Sequence, residues 1–145
     1  TVFRQTMFAE FEHLIHQKVQ NNEALTADAL TKEYYELNKK YFGEENLIID
    51  EEIGLEWSRI PHFYYNYYVY QYATGFSAAT ALSKQILEEG EPAVERYIEF
   101  LKAGSSDYPI EVLKKAGVDM TSSKPIEDAC KVFEEKLIEM ENLLG

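Results

Sequence analysis

Residues 61–76 read PHFYYNYYVYQYATGF, and between His62 and Tyr72 they hold one histidine and seven aromatics. A helical core is built mainly from Leu, Ile, Val and Phe, because a buried phenol brings a hydroxyl that must find a partner. Repeated tyrosine therefore predicts an element that faces a wet cleft or satisfies its hydroxyls inside. Pro61 suits the first turn of a helix, where its missing N–H would be orphaned anyway, and Gly90 suits a stop. The pattern between them predicts one long Tyr-rich helix near 61–89. Gly75 lies inside it, at a cost of roughly 1 kcal/mol relative to alanine, and with Ser77, Ala78 and Ala79 beside it predicts close helix packing.

At 100° per residue, His62, Tyr65, Tyr68, Val69, Tyr72, Phe76 and Ala79 fall within about 120° on one face of such a helix. Phe63, Tyr67, Tyr70 and Thr74 fall on the other. A helix that is aromatic on both sides suits a position between a core and a second surface. His62 would sit in the first turn, where the helix dipole favours the neutral imidazole. Phenol hydroxyls and an imidazole N–H on one face could donate to an oxyanion as charge builds on it. Core packing also produces an aromatic stripe at helical spacing, and spacing alone leaves both readings open.

Outward from this stretch the pattern stays helical. Phe3, Met7, Phe8, Phe11, Leu14, Ile15 and Val19 recur at three and four residues, predicting a helix from Val2 to about Gln20 that ends at Asn21 and Asn22. Thr26 is a candidate cap for a second helix through Tyr41, and Gly43 is placed to stop it in a left-handed conformation. The run EENLIIDEEIGLEWSRI reads as a loop with one short turn around Trp57, and as the loop best suited to carry function. Further helices are expected near 92–103, 109–116 and 125–143, each with a proline near its start, and Gly104 and Gly117 close two of them. No stretch alternates as a strand should. The fold class expected is all-α, a single unit over residues 1–145.

The composition narrows function. Lys and Arg total 14 against 26 Asp and Glu, a net charge of −12, which makes nucleic acid a repelled partner. No window reaches the roughly 18 apolar residues of a membrane span, and the amino end has neither the basic segment nor the apolar core of an export signal. Cys130 is the one cysteine, so no internal disulfide is possible. A cytoplasmic chain without membrane contact is the expectation. Thr1 is followed at once by Val2, Phe3 and Phe8, which read as the middle of a buried helix and predict a fragment.

Other chemistry finds less support. Glu10 with His13 has the E-x-x-H spacing of carboxylate-bridged di-metal bundles, and Glu12 with His16 adds a second same-face pair. Such sites need a second E-x-x-H on another helix, which the chain lacks. His13-Leu14-Ile15-His16 is one residue short of the H-E-x-x-H zinc spacing. Cys130 has acidic surroundings and no basic partner in reach.

The stretches TVFRQTMFAEFEHLIHQ, LTADALTKEYYELNKKYFG and RIPHFYYNYYVYQYATGFSAATAL together closely resemble the carboxyl-terminal part of the oligoendopeptidase F family, within the thimet oligopeptidase-like zinc metallopeptidases. The resemblance covers essentially the whole chain. It implies a helical piece of the catalytic half of an enzyme that cleaves short peptides. The zinc of the parent would be held by an H-E-x-x-H helix and a following glutamate upstream of Thr1, so no metal is expected on this chain, which alone should be inactive. In the thimet branch a histidine and two tyrosines seven residues apart contact the substrate carbonyl and the developing oxyanion. The matching residues here are His62, Tyr65 and Tyr72 as catalytic groups, with Tyr68, on the same face, as a substitute for one of the tyrosines or a substrate contact. That branch has a longer, glycine-rich spacer, and counting with it would land on Tyr67 and Thr74, where Thr74 cannot serve as the phenol. An autonomous helical module that binds a peptide or protein without catalysis is the alternative, and self-association of a cut fragment is a further expectation.

Overall fold

Helix α1 spans Val2–Gln20 in the computed structural model, which describes residues 1–145 and contains helices but no strands. Its apolar stripe places Met7, Phe8 and Phe11 in a core, and Asn21 and Asn22 end it as expected, Asn22 in the left-handed region at φ +59°. Helix α2, Ala27–Phe42, starts where the Thr26 hydroxyl accepts the Ala29 N–H at 3.2 Å. Gly43 closes it at φ +78°, a conformation that costs glycine little because it has no Cβ.

The segment expected as a functional loop is instead a 3-10 helix, Glu51–Arg59, packed along α2. Its contact is close at Gly54, where a Cβ would lie 2.9 Å from Thr31 Cγ2 and 3.0 Å from the Thr31 carbonyl oxygen. Trp57 donates its indole N–H to the Thr31 hydroxyl at 3.2 Å. Buried Glu56 accepts from Arg4 at 2.6 Å and Tyr34 at 2.7 Å, and also from Arg59. The acidic run thus ties α1 to α2, because a buried carboxylate is tolerated where several donors converge on it.

Two compact units divide the chain, Thr1–Ala73 and Thr74–Gly145. In the first, Met7, Phe8, Phe11, Tyr34, Leu37, Ile60 and Val69 form the core, with Phe63 against it. Phe11 meets Tyr34 edge-on and Phe63 at a tilt, each with ring centroids 5.1 Å apart. The division falls within helix α3, Tyr70–Glu89. The second unit continues with α4 (Glu91–Ala103), α5 (Pro109–Lys115) and α6 (Lys124–Leu144), close to the expected ranges. Its core is Ala78, Leu82, Ala116 and Val118, with Tyr97, Phe100 and Leu113 packed against them. Gly75 borders an apolar cleft there, and a Cβ on it would meet nothing within 4 Å, so close packing is not what this glycine provides. No helix is long and apolar enough to cross a membrane.

Candidate functional site

The helix expected over 61–89 is interrupted. Pro61–Tyr64 makes one turn of 3-10 helix, the backbone bends after it, and α3 begins only at Tyr70. Asn66 at φ +43° and Tyr67 at φ +57° are left-handed, which no α-helix of L-residues accommodates. The core explains the break. On a straight helix Phe63 and Val69 would point about 120° apart, yet Phe63 packs on Phe8 and Phe11 while Val69 is fully buried in the same cluster. Bending the chain between them lets both reach it.

The bend has its own fastening. Glu12, on α1 and 1% exposed, accepts the backbone N–H of Tyr67 through Oε1. One helical turn on, His16 stacks on the Tyr67 ring with centroids 4.4 Å apart. Phe8, Phe11 and Ile15 surround position 12 on the apolar stripe of α1, so a glutamate within that stripe was the available signal that something there needed an acceptor.

His62, Tyr65, Tyr68 and Tyr72 do come together, though through the bend and not along a helical face. His62 Nε2 and the Tyr72 hydroxyl lie 3.2 Å apart, with the rings nearly perpendicular at 88°. Tyr68 stacks on His62 at 5.8 Å and meets Tyr72 edge-on at 5.7 Å, while Tyr65 joins through Tyr68 at 5.9 Å. Val69 and Tyr67, assigned to faces of a continuous helix, leave for the core and for His16. The helix-dipole argument for His62 lapses too, because its helical segment is four residues long.

The cluster is open to solvent: Tyr65 is 61% exposed and Tyr72 36%. The Tyr72 phenol is held above its ordinary value of 10.0, first by its hydrogen bond with Tyr68 and then by desolvation. It therefore carries its proton at neutral pH and can donate. A histidine and phenols converging at an open surface suit a hydrogen-bonding wall for a polar oxygen.

The metal-spaced pairs on α1 are otherwise engaged. Glu10 accepts from Lys40 at 2.6 Å and Tyr41 at 2.7 Å. Burial raises its carboxyl, but these two hydrogen bonds outweigh it and leave the group below its ordinary range. Tyr41 is pushed up to about 12, by desolvation first and the Glu10 hydrogen bond next. With Glu12 on Tyr67 and His16 stacked, no three His, Cys, Asp or Glu side chains are grouped to hold a metal ion.

The class of chain that fold and cluster define is an all-α scaffold that brings an imidazole and several phenols together at a solvent-facing surface. The sequence comparison is specific about which: the chain belongs to Peptidase family M3, whose family model matches residues 1–132. It is 78% identical over 144 residues to Oligopeptidase PepF of Bacillus subtilis, covering 99% of this chain and 21% of that protein. It is 54% identical over 148 residues to Group B oligopeptidase PepB of Streptococcus agalactiae, covering 100% of this chain and 24% of that protein. Among solved structures, the crystal structure of oligoendopeptidase-F from Enterococcus faecium superposes with a TM-score of 0.94 at 58% identity, over 99% of this chain and 27% of that one. The chain thus spans about a fifth to a quarter of the length of these relatives.

Proposed function

We propose that residues 1–145 are one all-α part of the catalytic domain of a larger, cytoplasmic oligoendopeptidase that hydrolyses short peptides. Within it this chain supplies the wall that binds the substrate and stabilises the oxyanion. Family membership and relatives named oligopeptidase and oligoendopeptidase support the peptidase reading. The observation that carries the role of this piece is the contact of His62 Nε2 with the Tyr72 hydroxyl at 3.2 Å.

In the tautomer with the proton on Nε2, His62 donates to the Tyr72 oxygen, so the Tyr72 proton, which Tyr68 accepts in this structure, can turn to a substrate oxygen without costing Tyr72 its contact with His62. A hydroxyl that already accepts a hydrogen bond is a stronger donor. Tyr72 then donates to the substrate carbonyl oxygen as negative charge accumulates on it, while Tyr65 and the stacked Tyr68 ring line the approach and hold the peptide. Zinc is the metal that family membership implies, and its ligands belong to parts of the enzyme outside this chain. Isolated, the 145-residue chain should hydrolyse nothing.

In the full-length peptidase, Tyr72→Phe should lower kcat by roughly 10²-fold with a modest change in KM, the pattern of a donor used mainly in the transition state. Steady-state kinetics on a short fluorogenic peptide measure it. Near-normal turnover would remove the assigned role.

A further inference from the structure

We infer that Glu12 is a positioning residue for this site: by accepting the Tyr67 N–H it holds the left-handed bend that brings the Tyr72 hydroxyl to His62. The inference rests on the functional reading above for its kinetic consequence, but not for its geometry.

Three observations converge. Glu12 is 1% exposed, so its carboxylate has given up water and must be compensated by fixed donors. The donor it takes is a main-chain N–H in the left-handed stretch, Asn66 at φ +43° and Tyr67 at φ +57°, where neither residue is glycine. Such conformations persist only when their surroundings impose them. Finally, the bend lies between His62 and Tyr72, so its geometry sets their separation. Phe63 and Val69 anchor the flanks of the bend in the core, and neither contact reaches the Tyr67 peptide itself. Glu12 supplies the directional contact, and His16, one turn along α1, backs it by stacking on the Tyr67 ring. The carboxylate itself touches neither His62 nor Tyr72 and acts only through the backbone.

The test uses the full-length peptidase with Glu12→Ala, Glu12→Gln, Tyr72→Phe and the double variant Glu12→Ala/Tyr72→Phe. Glutamine keeps an acceptor oxygen at nearly the same place, whereas alanine removes it. Glu12→Ala should lose tenfold or more in kcat with little change in KM, and Glu12→Gln should recover most of it. Added to Tyr72→Phe, Glu12→Ala should cost less than threefold, because the group it positions is already gone. General damage to the fold would cost the same in both backgrounds, and that result overturns the inference. With histidine and tyrosine selectively labelled, the nuclear Overhauser contact between the His62 and Tyr72 rings should survive Glu12→Gln and vanish in Glu12→Ala. Its persistence in Glu12→Ala overturns the inference whatever the kinetics show. Loss of that contact in Glu12→Ala together with normal turnover in Tyr72→Phe sinks the catalytic reading and leaves Glu12 as the residue that sets the bend. If Glu12→Ala does not fold, Glu12→Asp, which withdraws the acceptor by one methylene, should give the same losses.

Discussion

Burial alone would raise the Glu56 carboxyl, and the hydrogen bonds from Tyr34 and Arg4 outweigh it, leaving the group below its ordinary value of 4.5. A carboxyl depressed in the folded state stabilises the fold in full above its unfolded value, and that contribution is lost as pH falls through the folded one. Glu10 adds to the same acid limb, being depressed by Lys40 and Tyr41. The melting temperature should therefore fall on acidification below the ordinary glutamate range, and Glu56→Gln should flatten part of that fall. At neutral pH, Glu56→Ala should destabilise by about 2–3 kcal/mol in urea unfolding, because Tyr34 and the guanidinium groups lose a buried acceptor. The loss stays below that of a fully buried ion pair because the Arg4 and Arg59 side chains are themselves 42% and 71% exposed and water can replace their partner. Tyr34 is held well above its usual range, by desolvation first and Glu56 second, so it adds an alkaline limb: its contribution is complete below its unfolded value and is lost as pH rises.

At the scale of elements, two glycines make opposite demands. Gly54 brings the 3-10 helix against α2 so closely that an alanine Cβ would sit 2.9 Å from Thr31 Cγ2 and 3.3 Å from Tyr35 Cβ. Gly54→Ala should cost about 1–3 kcal/mol, as overpacking does. Gly75 lies inside α3 with open space around its missing Cβ. Gly75→Ala should stabilise by about 1 kcal/mol, the helix-propensity difference, and chemical denaturation of the two variants should show shifts of opposite sign. The same contrast explains what could be read ahead of the structure. Helices α1 and α2 follow from apolar spacing, Thr26 and Gly43, which are local signals. The break between Tyr64 and Tyr70 does not, because the contacts that go with it, Phe63 and Val69 in the core and the Tyr67 N–H on Glu12, are made with α1 some 55 residues away. Composition nonetheless marked the stretch from His62 to Tyr72, since tyrosine is a poor choice for a dry core whether or not the backbone is helical, and the family resemblance selected His62, Tyr65, Tyr68 and Tyr72 within it. The 3-10 helix was missed because its stabilising partners, Thr31 and Tyr34, lie on another element.

The molecule as a whole leaves apolar side chains in water on its last helix, where Ile138 is 52% exposed, Leu143 80% and Leu144 79%. Met140 adds to them, and Leu137 lies one turn before Glu141 on the same element. Exposure of several apolar side chains near one end of a helix, on a chain that spans a fifth to a quarter of its relatives' length, suits contact with further protein. Against association stands the net charge of −12, which repels like copies at low salt. At an ionic strength of 0.1 M the Debye length is about 10 Å, so salt removes most of that repulsion while strengthening apolar contact little. The isolated 145-residue chain should therefore self-associate with rising concentration, and more so on going from low salt to about 0.1 M. Light scattering across that salt range measures it. Leu143→Glu combined with Leu144→Glu should return the chain to a monomer, because it places charge where an apolar face must be covered. A full-length peptidase in which α6 is covered should show no such salt dependence. Monodisperse behaviour of the isolated chain at every salt concentration would assign the apolar face of α6 no associating role.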